Sequence, residues 1–163
     1  MNSIRIGNLE WATEDLKLTV TRDGKELTLI ETELDWKEAF EKNIPCYMKS
    51  KHPGGGLLYN IQATSNITPD GWQIPSSSDW KSIAKDPNVN QLNKLLGFNE
   101  RRFYAFCNTE DEYYGSYWAC TSCSEEMWAT SLDKLSVQYY ESPTKWGEEC
   151  DYGLFIRCVK NIL

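Results

Sequence analysis

Six cysteines, one histidine and several runs of carboxylates are the residues of this chain whose types could do chemistry. Cys120 and Cys123 form a C-x-x-C, the only short-spaced cysteine pair. Zinc would need two further ligands, but Cys150 and Cys158 lack metal-site spacing and His52 is the lone histidine. No helix start or βαβ pattern follows the motif, as a thioredoxin-type pair would require. Buried thiols are therefore the expectation. A hydrolase would need a nucleophile beside a base, or two carboxylates across a cleft. His52 instead sits in a glycine-rich stretch with no partner signal. The carboxylates gather at Glu110-Asp111-Glu112, Glu125-Glu126 and Glu148-Glu149 with Asp151. They read as a solvated acidic rim. Calcium is the one ion that such loops suit, since it takes several oxygens, but no D-x-[DN]-x-[DN]-G loop is present. The expectation is no catalytic residue, no cofactor and no metal.

Arg157 stands inside the apolar run Gly153 to Val159. A guanidinium buried in such a strand is costly unless paired. Its expected role is a structural ion pair, with Glu14, Asp15 or Asp79 as candidate partners. Recognition rather than catalysis falls to the aromatics. Thirteen of the 21 lie between Phe103 and Phe155, so the main core and any aromatic surface are expected there. Two stretches mix aromatics with acids: 108–114, with Tyr113 and Tyr114, and 141–152, with Trp146, Glu148 and Tyr152. Aromatic anchors inside a polar rim are the usual anatomy of a contact patch. Trp146, between Lys145 and Gly147, is its expected anchor. Trp72, Trp80 and Trp118 are expected to be structural.

The elements that must position these residues read as follows. Ile4 to Ile6 and Glu10 to Ala12 are short extended runs around a Gly7-Asn8 turn. Leu16 to Thr21 and Glu26 to Ile30 flank Asp23-Gly24, a hairpin signal. Asp35 is expected to cap a helix ending near Asn43, with Trp36, Ala39 and Phe40 on one face. Cys46 to Met48 reads as a strand and Lys49 to Gly56 as a loop. Leu57 to Ala63 fits either strand or helix. Pro69 to Trp72 is a turn. Ser76, with Asp79 three residues later, opens a helix that buries Trp80 and Ile83 and stops by Pro87. Asn90 to Leu96 is a second short helix. Phe103 to Cys107, Tyr114 to Trp118, Met127 to Leu132, Leu135 to Tyr140 and Gly153 to Val159 are strands. The last third thus reads as a small antiparallel sheet with a long rim loop.

The chain, 163 residues long, is expected to be one domain, residues 1–163, able to bury a core without staples. A net charge of −7, with only scattered basic pairs such as Arg101-Arg102, excludes a nucleic-acid footprint. No stretch approaches the roughly 20 apolar residues of a membrane span. Met1 to Arg5 lacks the apolar region of a signal peptide, so either the protein stays out of the secretory pathway or a leader has been removed.

Several stretches together resemble a known family. Ile6 to Lys17, Gly56-Leu57-Leu58-Tyr59-Asn60, Pro69 to Pro75 followed by Asp79-Trp80, Gly115 to Trp118 and Gly153 to Val159 are similar, in order, to motifs of the Fibrobacter succinogenes major paralogous domain. The resemblance implies an α+β, C-type-lectin-like fold related to formylglycine-generating-enzyme-type domains. Such a fold has a mixed, mostly antiparallel sheet, two flanking helices, a long loop region and paired terminal strands. Thr68 stands where the family has a cysteine before P-x-G-W, which removes the mate that the resemblance would give Cys158. Ala119-Cys120 and Ile61 also depart from the pattern. The copper-binding cysteines of the enzyme branch have no counterpart here. Nor do the Glu-Pro-Asn and Trp-Asn-Asp triplets of calcium-dependent lectins.

The resemblance implies a non-enzymatic ligand-binding or adhesion module, extracellular or at a bacterial surface, with a protein or glycan ligand. The alternative is a structural or receptor-binding component of a phage virion, whose partners are virion subunits and whose place is the virion or cytoplasm. An enzyme of unknown chemistry is the third reading.

Overall fold

The computed structural model describes residues 1–50, 56–84, 116–120, 127–132, 137–139 and 153–162. They form an α+β structure with three small sheets, each of three strands. The strands are β1 (Ser3–Ile6), β2 (Leu9–Ala12), β3 (Thr28–Leu29), β4 (Cys46–Lys49), β5 (Leu57–Tyr59), β6 (Ser116–Cys120), β7 (Met127–Leu132), β8 (Val137–Tyr139) and β9 (Val159–Asn161). The helices are α1 (Glu33–Glu41), α2 (Ile61–Thr64) and α3 (Ser77–Ala84). The expected helix at 90–96 and strand at 103–107 lie outside the described residues.

The first sheet has the order β1-β2-β9 and is antiparallel throughout. Gly7 makes the β1–β2 turn at φ 61°, a backbone region that costs glycine little. β9 pairs Val159 with Trp11, so the two ends of the chain meet in one sheet. The second sheet has the order β3-β4-β5. Here β3 runs parallel to β4, Thr28 opposite Cys46, and β5 is antiparallel to β4. The Asp23-Gly24 hairpin is real but short. Thr21 N–H donates to Lys25 O at 2.8 Å and Val20 bridges Glu26, after which the returning strand leaves its partner for β4. The third sheet, β6-β7-β8, is an antiparallel meander, with Trp118 opposite Ala129.

Two helix starts show how local chemistry sets the boundaries. Before α3, Asp79 N–H donates to Ser76 Oγ at 3.2 Å while Ser76 N–H donates to Asp79 Oδ2 at 2.8 Å. This reciprocal pairing satisfies donors that the first turn would otherwise leave open. At α1 the cap is Thr32, not Asp35 as expected. Thr32 Oγ1 accepts from Asp35 N–H at 3.1 Å, and the helix starts one turn earlier. Asp35 is the third helical residue, and its Oδ2 accepts from the Thr32 hydroxyl at 2.6 Å. The segment 57–63 resolves into both alternatives, β5 and then α2, divided by Asn60.

The segment 153–161 organises the core. Its apolar residues are buried on both faces, as in a central strand. Alternation sends Phe155 and Val159 into one cluster and Leu154, Ile156 and Cys158 into another. The first cluster is roofed by Trp36 and Ala39 of α1 and by Trp80 and Ile83 of α3. In it Trp11 and Trp80 meet edge to face, centroids 5.0 Å apart. The geometry adds about 0.5–1.5 kcal/mol beyond the burial of the rings. The second cluster joins Leu16, Leu27, Tyr59, Ala63, Ile67 and Ile74. α1 and α3 thus contribute to the same cluster, the first. Of the expected core region 103–155, burial is described only for residues 153–155, and all three are buried.

Backbone hydrogen bonds tie the same segment to several parts of the chain. Leu154 and Tyr59 exchange bonds of 3.0 and 2.9 Å, Leu16 N–H donates to Ile156 O at 2.8 Å, and Val159 and Gln73 exchange bonds of 2.9 and 2.8 Å. Where the segment begins, Gly153 lies under Trp36. A Cβ there would stand 2.9 Å from Trp36 Cζ2 and 3.3 Å from Leu58 Cβ. Trp36 is itself enclosed and cannot swing away. Gly153→Ala is therefore expected to destabilise the fold by about 1–3 kcal/mol through overpacking. Urea unfolding checks this, and the loss is expected to shrink in a Trp36→Phe background. Equal stability of Gly153→Ala and the parent would contradict the close approach.

Candidate functional site

The sequence-predicted contact residues Tyr113, Tyr114, Trp146, Glu148 and Tyr152 lie outside the described residues, as do His52 and the acidic runs around them. What the structure describes is the frame on which they are mounted. Tyr152 is followed directly by Gly153, seated on Trp36 and Leu58. Two residues after Tyr114 the chain enters β6, whose Ser116 pairs with Ser131. Trp118 is in the middle of β6.

Arg157 is completely enclosed and Asp15 is 5% exposed. Arg157 Nη2 donates to Asp15 Oδ1 at 2.5 Å, and Nη1 donates to Ala12 O at 3.0 Å. The backbone creates this meeting. Ala12 N–H donates to Cys158 O at 2.9 Å and Leu16 N–H to Ile156 O at 2.8 Å, so residues 12–16 fold over the guanidinium. Gly56 completes the wall, because a Cβ there would lie 3.4 Å from both Asp15 Cβ and the Phe155 ring. The other two candidate partners are engaged elsewhere. Glu14 meets Lys17 at the surface, 3.7 Å away. Asp79 caps α3. The pair joins the two ends of the chain, and its enclosure leaves no face for a ligand.

Cys46 and Cys158 are buried free thiols. Burial pushes each up to about 12 from an ordinary 9.0, even with Arg157 beside Cys158 drawing it down. Burial also raises the Tyr59 hydroxyl, which donates to Leu18 O at 2.9 Å. Thr68, at the position where the resemblance sets a cysteine, is instead held by Arg22. The guanidinium donates to Thr68 O at 3.0 and 3.2 Å and to Thr68 Oγ1 at 3.0 Å, and meets Asp70 at 3.4 Å. Trp72, expected to be structural, is half-buried against the second cluster, with Lys160 5.9 Å from its ring centroid. Trp80 is fully enclosed.

Sequence reasoning missed Asn60. Its Oδ1 accepts from Cys46 N–H at 3.0 Å and from Ala63 N–H at 3.1 Å, while Nδ2 donates to Ile44 O at 2.8 Å. One buried amide thus caps α2 and pins the start of β4. The available signal was an asparagine between an apolar run and Ile61-Gln62-Ala63, a cap position. Among the described residues no three His, Cys, Asp or Glu side chains gather as a metal would need. No helix among them is long and apolar enough to cross a membrane.

Two expectations follow. Arg157→Ala is expected to destabilise the fold by about 3–5 kcal/mol, because Asp15 remains buried without its counter-charge. Denaturant unfolding measures this, and Arg157→Ala combined with Asp15→Ala is expected to cost less than the sum of the singles. Melting of Arg157→Ala at the parent's temperature would remove the pair from the structural account. The thiols predict alkaline sensitivity. Folded Cys46 and Cys158 keep their protons to about pH 12, while the unfolded chain releases them near 9.0. Between those values the unfolded state binds fewer protons, so stability is intact below pH 9 and falls as pH rises above it. In unfolding measurements from pH 8 to 11, the Cys46→Ala, Cys158→Ala double variant is expected to start less stable but lose stability less steeply. Parallel slopes would mean that the thiols are not shielded.

Residues 4–95 match the Fibrobacter succinogenes major domain. No curated protein and no solved structure matches the chain. The matched span holds β1 to β5, the three helices, Asn60, the Pro69–Trp72 turn and Asp79-Trp80. It also holds Asp15, the carboxylate that receives Arg157 from beyond the match. With more than half of its length in that match, the chain belongs to the Fibrobacter succinogenes major domain family.

Proposed function

We propose that this chain is a C-type-lectin-like, non-enzymatic binding or adhesion module of a bacterial surface or secreted protein. Its ligand is a protein or a glycan, met by the stretches 108–114 and 141–152. The observation that carries the reading is the mounting of the second stretch. Tyr152 runs straight into Gly153, and the following residues are locked to Tyr59, Leu16, Ala12, Gln73 and β2. A contact stretch with an immobile base loses less entropy when a partner orders it. Its residue types suit recognition, since Trp and Tyr supply large amphipathic contact area while Glu148 and Glu149 supply a polar rim. The pairing of β2 with β9 and the packing of α1 and α3 into one core cluster favour the lectin-like arrangement. The enclosed Arg157–Asp15 pair and the shielded thiols leave the reactive groups of the described core in structural roles.

The test is Trp146→Ala, compared with the parent on an array of bacterial envelope glycans and on immobilised envelope proteins. A ligand retained by the parent is expected to lose about 2 kcal/mol or more, roughly thirty-fold in Kd, with the melting temperature unchanged. A large fall in melting temperature with binding intact would return Trp146 to the core and end this reading. Capture of phage structural proteins, not envelope components, would replace it with the virion alternative.

A further inference from the structure

We draw no further inference here: the strongest candidate, the outer face of the terminal sheet where Trp72 stands beside Lys160 and Glu10, is a surface patch whose two charges already pair with each other at 3.5 Å, and nothing in the structure shows what covers it.

Discussion

The ion pair between Arg157 and Asp15 is the constraint on which the rest of the structure depends. Two charges taken out of water gain little net stability from each other, because the attraction roughly offsets the lost hydration. Their consequence is register. The strand expected over Gly153 to Val159 is a ladder strand only from Val159, and residues 153–158 lead into it as an extended segment joined by single bridges. Arg157 lies on the same side of this segment as Phe155 and Val159 by alternation and is placed under residues 12–16. Sliding the strand by one residue would send Arg157 toward the second cluster, among Leu16, Tyr59 and Ile156, with no carboxylate to meet. An all-apolar strand buried on both faces would have no such discrimination. The charge makes the wrong registers expensive.

That register then fixes much else. With Arg157 seated, Leu154 meets Tyr59, Val159 meets Gln73 and β9 meets β2, so both core clusters close around one segment. The partners are far apart in sequence, Arg157 and Asp15 by 142 residues. Closing so long a loop costs chain entropy before any contact repays it, which slows folding. Local devices lower the number of open choices. The Thr32 cap of α1, the capping box of α3, the Asn60 amide and the Arg22 clasp on Thr68 each order a piece of the first half. They form a bed of prepared pieces for the last strand.

What could be read in the sequence divides along the same line. Ser76 and Asp79 were legible because both halves of the box sit within one turn of each other. Thr32 was overlooked in favour of Asp35, because either residue satisfies the cap pattern and only the backbone decides between them. The burial of Arg157 followed from an apolar strand that a lone charge could not occupy unaided, but the choice of Asp15 over Glu14 depended on which way the 12–16 turn faces. The parallel β3–β4 pairing was not legible. A hairpin signal at Asp23-Gly24 dominates its neighbourhood, and nothing local says that Thr28 will abandon that hairpin for Cys46. Trp146 and Tyr152 were singled out by residue chemistry alone, and both lie outside the described residues.

The absence of a cysteine at Thr68 sharpens the division between scaffold and surface. A disulfide to Cys158 would hold the 66–72 segment whether or not its contacts are good. Here the hold depends on hydrogen bonds: Arg22 on Thr68, Arg22 N–H on Asn66 O and Asn66 Nδ2 on Asp23. Asp23 is itself kept ionised, to about 2, by the Thr21 hydroxyl and by Lys25. These groups are partly exposed, so each bond is modest, and the clasp works through number and geometry. The segment it holds leads into Gln73, whose two bonds to Val159 lie two residues from Arg157. The hairpin tip therefore supports the same seam that the buried pair aligns, from the solvent side. The polar groups of the hairpin tip are thus engaged in holding the scaffold together.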